Sequence, residues 1–145
     1  MFFFKWWKSK KALREPSLEG QCHNLELIYQ QINHQYFEGK IDLPIAWFGE
    51  RVAKARCKVR LGSYHLEKKK IKIHRLLDQP HVPHFFISFI VYHEILHHLF
   101  PPIMVNNRRK IHHPQFKKEE RRFQEYELAR HFAKNNKKLW FYSFG

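Results

Sequence analysis

Between Pro83 and the pair Pro101-Pro102 the chain reads His-Phe-Phe-Ile-Ser-Phe-Ile-Val-Tyr-His-Glu-Ile-Leu-His-His-Leu-Phe, apolar in its first half and carrying ionisable groups in its second. The run predicts one long helix from about His84 to Phe100. Pro83 stands near its first position, where proline is tolerated. Pro101 ends it, because proline lacks the N–H donor and clashes with the preceding turn. Burying His93, Glu94 and His97 on such a helix without partners is costly, and a metal site would remove that cost. The same residues, with His98, argue against a bilayer-spanning helix over the wider apolar stretch Phe85 to Val105.

The ionisable residues form the pattern His-Glu-x-x-His over His93-Glu94-Ile95-Leu96-His97. His93 and His97 are four residues apart, so they lie one turn apart on one helical face. Two imidazole nitrogens can then meet one metal ion at the short bond length that zinc requires. Glu94 is rotated beside them, within reach of a water at the metal but badly placed as a third ligand. In that position it fits a general base, taking a proton from water as the water attacks a carbonyl and passing it to the leaving amine. With 12 His in 145 residues, a chance match to the bare pattern is on the order of one in twenty. The apolar helical context is what strengthens the metal reading. A catalytic zinc takes a third protein ligand, and residue chemistry leaves His98, His112, His113, Glu119, Glu120 and Glu125 open. His98 projects about a hundred degrees away from His97 around the helix, which fits a surface or supporting position better.

Around this helix the patterns are short. Leu25, Ile28, Tyr29, Ile32 and Tyr36 follow helical spacing, and Gly39 is a plausible stop. Leu43 to Phe48 reads as a short strand begun by a proline. Residues 49 to 65 alternate basic and apolar side chains, with a turn or bulge at Gly62-Ser63. Lys70-Ile71-Lys72-Ile73-His74 alternates again as a half-exposed strand, and Asp78 to Pro83 is a loop. Residues 103 to 113 read as a basic, polar linker. One last helix is predicted from about Pro114 to Asn135, with Phe116, Phe123, Tyr126, Ala129 and Ala133 on one face. Residues 1–20 read as a basic and aromatic leader, residues 21–145 as one domain, and the aromatic tail Leu139 to Phe144 as a segment able to fold back on it.

Composition narrows the classes further. A chain of 145 residues, 43% hydrophobic and 17% aromatic, can enclose a core without staples and is too rich in aromatics for intrinsic disorder. Cys22 and Cys57 form no CxxC pair, which excludes a Cys-based zinc ribbon; two buried thiols are expected, with a single disulfide the other option. The opening apolar runs are short and broken by Lys5, unlike a signal-peptide core, so a cytoplasmic protein is expected. The formal net charge of +14 favours polyanionic partners (nucleic acid, anionic lipid or acidic protein tails) over a basic surface with no dedicated partner. The basic alternation near Arg56 to Arg60 and Lys68 to Lys72 is the expected surface for them, against a merely solvated face. Trp47, on an apolar strand, is expected in the core, and Tyr126 and Tyr142 are read as packing residues before oxyanion donors.

Taken together, these residues resemble the SprT-like family of zincin metallopeptidases, which includes the Spartan-type proteases. The resemblance covers roughly residues 25 to 133. It begins with Leu27-Ile28-Tyr29 to Asn33-His34-Gln35-Tyr36-Phe37-Glu38-Gly39, similar to an opening helix that ends in asparagine, Tyr-Phe and a glycine-containing turn. It continues through strands at Ile45 to Phe48 and Ile71 to His74 into the His-Glu-x-x-His helix. His112-His113-Pro114-Gln115-Phe116 is similar to the family's His-Gly-x-x-Phe, with His112 in the ligand place, Phe116 in the aromatic place and His113 departing from the usual glycine.

The resemblance implies a compact α+β zincin-like domain: an N-terminal helix, a small antiparallel sheet, the active-site helix and a C-terminal helix. It implies zinc held by His93, His97 and His112, with Glu94 as the catalytic residue. It also implies hydrolysis of protein substrates, and for Spartan-type members of proteins bound to DNA, in keeping with the charge. The competing expectation is a non-catalytic, basic nucleic-acid-binding domain that keeps zinc for stability.

Overall fold

The structure, a computed structural model, describes residues 18–52 and 58–136 and the strand Phe141–Tyr142. In chain order the described elements are α1 (Leu25–Phe37), β1 (Ile45–Phe48), β2 (Lys58–Val59), β3 (Gly62–His65), β4 (Lys70–His74), a 3-10 turn (Arg75–Leu77), α2 (His84–Leu99), β5 (Ile103–Val105), β6 (Arg108–Lys110), α3 (Pro114–Glu120), α4 (Tyr126–Asn135) and β7 (Phe141–Tyr142).

Helix α1 forms where the spacing predicts it. Asn24 caps its start, accepting a hydrogen bond from the Leu27 N–H through its side chain. Its end is set by Glu38 (φ 54) and Gly39 (φ 72), both left-handed, with the Gly39 N–H returning to the Asn33 carbonyl. The Asn33 side chain then donates to the Ile41 carbonyl and accepts from the Ile41 N–H. One buried amide thus fixes the course of the chain from α1 into β1.

The α+β class holds, but the central sheet is mixed where an antiparallel one was expected. Its order is β1-β4-β3. β3 and β4 are antiparallel, with Gly62 opposite Ile73, whereas β1 runs parallel to β4, with Ile45 opposite Ile71. The alternation of β4 does what period-2 patterning demands: Ile71 and Ile73 are fully buried, while Lys70, Lys72 and His74 lie on the other, partly exposed face. Trp47 is in the core and donates its indole N–H to the Leu18 carbonyl. Leu18 to Gly20, at the end of the expected leader, therefore belong to the fold, and residues 1–17 lie outside the described residues.

Helix α2 is the hub, touching α1, β3, β4, α3 and α4. Every residue from Phe86 to Leu96 is buried, the ionisable His93 and Glu94 included. Full burial of a Phe or Ile side chain stabilises by about 1.5–3 kcal/mol, and Phe86, Ile87, Phe89, Ile90 and Ile95 all contribute in this way.

Four expectations are corrected. Gly62 and Ser63 are in strand β3, because the sheet needs a residue without a side chain where it passes α2. Residues 103 to 110 are no linker but a β-hairpin, β5 against β6, closed by Asn106 (φ 51) and Asn107 (φ 61). Asparagine tolerates the positive φ that such a tight turn requires at both central positions. The single C-terminal helix is two, α3 and α4, broken over residues 121–125, around which the N–H groups of Arg122, Phe123 and Tyr126 bond three residues back instead of four, to Glu119, Glu120 and Phe123. Tightening the chain there puts Phe123 into the core, stacked on Tyr36 at 5.5 Å between ring centroids. Cys22 is exposed rather than buried, since its turn aims backbone inward. The N–H groups of Gln21, Cys22 and His23 all donate to the Asp78 carboxylate at 2.8–3.0 Å. Cys57 and Arg56 lie outside the described residues. Part of the expected tail segment, Phe141–Tyr142, pairs parallel to β2.

Candidate metal centre

Helix α2 presents His93 and His97 one turn apart, and the segment between β6 and α3 brings His112 against them. The His93 and His97 Nε2 atoms are 3.1 Å apart, and those of His97 and His112 are 3.3 Å apart. The three side chains form a group able to hold a metal ion. Two nitrogens bound to one tetrahedral zinc at about 2.0–2.1 Å stand about 3.3 Å apart, so the spacing and the donor set both suit zinc. Phe116, fully buried, lies under all three rings, with centroid distances of 5.1, 4.7 and 4.9 Å to His93, His97 and His112. Its place four residues after His112 seats α3 against the cluster.

Burial and the neighbouring imidazoles push His97 down to about 3, and the same two causes push His112 down to about 4. Both rings are therefore neutral near pH 7, which is the form that binds a metal. Burial raises Glu94 to about 7, against the opposing pull of His93 and Arg60. A carboxyl balanced near neutrality can take and return a proton. Gly62 makes room for it. A Cβ built on Gly62 would stand 2.7 Å from Glu94 Oε1 and 2.8 Å from the Ile90 Cγ2.

Of the other third-ligand candidates, His113 is buried and reaches the Pro101 carbonyl through Nε2 at 3.1 Å, away from the cluster. It precedes α3 with φ −71 and ψ 170, an ordinary extended conformation, so a histidine here in place of glycine carries no strain. His98 pairs through Nδ1 with the Tyr64 hydroxyl at 2.8 Å. Tyr64 lies two residues beyond Gly62 on β3 and His98 one turn beyond Glu94 on α2, so strand and helix run in step beside the site. Glu119 pairs with Arg122, and Glu125 is exposed. Tyr126 packs edge-on against Phe89 at 5.9 Å, as the packing reading expects; the Tyr142 side chain lies outside the described residues.

Glu120 has a place that sequence reasoning did not assign. It is buried and meets His93 Nδ1 at 2.7 Å, on the side of the ring opposite the cluster. Burial works to raise its pKa, but the hydrogen bond from His93 and the nearby positive groups outweigh it and hold the carboxyl below its ordinary value. The one signal available was its register, four residues after Phe116 on the buried face of α3.

The model of the SprT-like family matches residues 25–137. Among solved structures, the chain is similar to the crystal structure of the metallopeptidase zymogen of Methanocaldococcus jannaschii jannalysin, with a TM-score of 0.54 and 16% identity over 86% of this chain and 98% of that one. At that identity the likeness speaks for the fold. No curated protein sequence matches the chain.

Proposed function

Because this chain belongs to the SprT-like family, we propose that it is a zinc-dependent metallopeptidase, with His93, His97 and His112 holding the ion and Glu94 as general base. The observation that carries this reading is the convergence of the His93, His97 and His112 imidazole nitrogens, with the buried Glu94 following His93 on the same helix. Zinc bound there supplies Lewis-acid polarisation of the scissile carbonyl and of water. Glu94 accepts the proton of the attacking water on its carboxylate and delivers it to the leaving amine nitrogen. The flanking strand β3 keeps that carboxylate dry, since Gly62 packs directly on it. Polypeptide is the substrate class.

We further read proteins bound to DNA as substrates. The net charge of +14 supports this, as do Lys70 and Lys72 on the outer face of β4, with Lys68 and Lys69 in the adjoining exposed turn. No helix among the described residues is long and apolar enough to cross a membrane.

Metal content by elemental mass spectrometry tests the first layer: about one zinc per chain in wild type, sharply reduced in His112→Ala. Cleavage of an unfolded protein substrate, with and without DNA, tests the second. Glu94→Gln keeps the zinc and loses turnover; an active Glu94→Gln protein sinks the assignment of the base. Zinc binding with salt-sensitive DNA binding and no cleavage in any condition replaces this reading with the non-catalytic nucleic-acid-binding domain.

A further inference from the structure

Glu120 stands where helix physics disfavours a carboxylate. It is the last residue of α3, and a negative charge at a helix C-terminus faces the negative end of the peptide dipoles. It is also buried, which penalises the charged form again. The compensating contact is His93 Nδ1 at 2.7 Å. An ionised carboxylate can only accept, so the imidazole has to carry its hydrogen on Nδ1. The neutral ring then has its lone pair on Nε2, the atom 3.1 Å from His97 Nε2 inside the cluster.

The end of α3 is held so that this contact persists. The Tyr92 hydroxyl donates to the Glu119 carbonyl at 2.6 Å. Phe116 lies against the His93 ring. In the turn after the helix the Arg122 and Phe123 N–H groups bond back to the Glu119 and Glu120 carbonyls. Neighbouring residues 92 and 93 of α2 are thereby joined to neighbouring residues 119 and 120 of α3.

We propose that Glu120 is a positioning residue for the metal centre: it fixes the tautomer and ring orientation of His93, so that Nε2 is presented to the ion. The inference rests on reading the three histidines as a metal site, and it extends that reading to a residue that is no ligand. A carboxylate behind a ligating imidazole raises its basicity and restricts its rotation, and loss of such a partner typically weakens metal binding about 10–100-fold.

The test is zinc affinity, measured by competition with a chromophoric chelator, in wild type, Glu120→Ala, Glu120→Gln and Glu119→Gln. Glu120→Ala is expected to bind zinc about 10–100-fold more weakly. Glu120→Gln, whose amide oxygen still accepts, should lose less, and Glu119→Gln should match wild type. Nitrogen-15 spectra of the histidine rings in the zinc-free wild type should show His93 protonated at Nδ1, a measurement that stands even where Glu120→Ala does not fold. A folded Glu120→Ala protein with unchanged zinc affinity overturns the inference, as does a His93 ring protonated only at Nε2 in wild type. Peptide cleavage takes no part in this test, so a wild type that binds zinc and cleaves nothing defeats the peptidase reading alone. A wild type that binds no zinc defeats both.

Discussion

Glu94 is the residue at which environment does most to change chemistry. Its ordinary value of 4.5 is raised to about 7 by burial, against the lowering effects of His93 and Arg60. A carboxyl whose folded pKa lies above its unfolded one binds a proton in the folded state that the unfolded chain has already lost. Its contribution to stability is therefore complete below about pH 4.5 and is lost as pH rises through about 7. The zinc-free wild type should lose stability across that window relative to Glu94→Gln, which carries no charge at any pH. Thermal melting of both zinc-free proteins from pH 5 to pH 8 measures this. The variant's advantage in Tm should widen with pH, and a constant difference would show that Glu94 does not titrate there. That His93 and His97 share one face of α2 was legible in the sequence because four-residue spacing converts directly to one face of a helix. Glu120 was legible only as one of several candidate ligands. Its role behind His93 depends on how α3 crosses α2, and no local pattern encodes a crossing.

At the scale of elements, the fit between β3 and α2 decides whether the site can form. Gly62 shows a φ in the ordinary range, so space rather than backbone conformation requires glycine there. Gly62→Ala would drive a methyl group to 2.7 Å from Glu94 Oε1. Overpacking of this kind costs about 1–3 kcal/mol, and the displaced carboxylate should lower kcat more than it raises KM. Chemical denaturation together with steady-state kinetics on Gly62→Ala tests both parts; wild-type values in each would mean that β3 yields without moving Glu94. Alternation placed β4 correctly, whereas Gly62-Ser63 suggested a turn inside what is β3, because glycine signals a break and a close approach equally well. The β5–β6 hairpin is hard to read from sequence for a related reason. Its strands are exposed on both faces, so no burial pattern marks them, and the signal was confined to the turn pair Asn106-Asn107. The helical spacing of residues 114 to 135 was real, yet it continued in register across a break that the Phe123 side chain imposes by packing onto Tyr36 and Tyr92.

Across the whole molecule, two kinds of electrostatics act at different ranges. One is local and buried: Asp78 gathers three backbone N–H groups from residues 21–23 and lies 3.8 Å from the Arg51 guanidinium. Burial opposes ionisation, but these donors and the cation prevail and depress its pKa. The stability it contributes is present above the unfolded value of 3.8 and is lost as pH falls through the folded one. Asp78→Ala leaves the three donors without their acceptor and should cost about 1–3 kcal/mol at neutral pH, less near pH 3, by denaturation at both. The other kind is spread over the surface and was legible from composition alone. What composition could not give is direction, and β4 supplies one by turning Lys70 and Lys72 to the same outer side of the sheet. If that side meets a phosphate backbone, binding must release counterions, and log K must fall linearly with log salt at about 0.9 per contact on duplex DNA. Replacing both lysines by glutamate should then reduce the slope by about 2, with zinc content unchanged because Lys70 and Lys72 stand on the face of β4 opposite the buried Ile71 and Ile73 and are not among the three clustered histidines. Fluorescence anisotropy on a labelled duplex across a salt series reads the slope directly. An unaltered slope in the double variant would move the DNA-facing surface elsewhere, with Arg108, Arg109 and Lys110 on the hairpin as the next cations to replace.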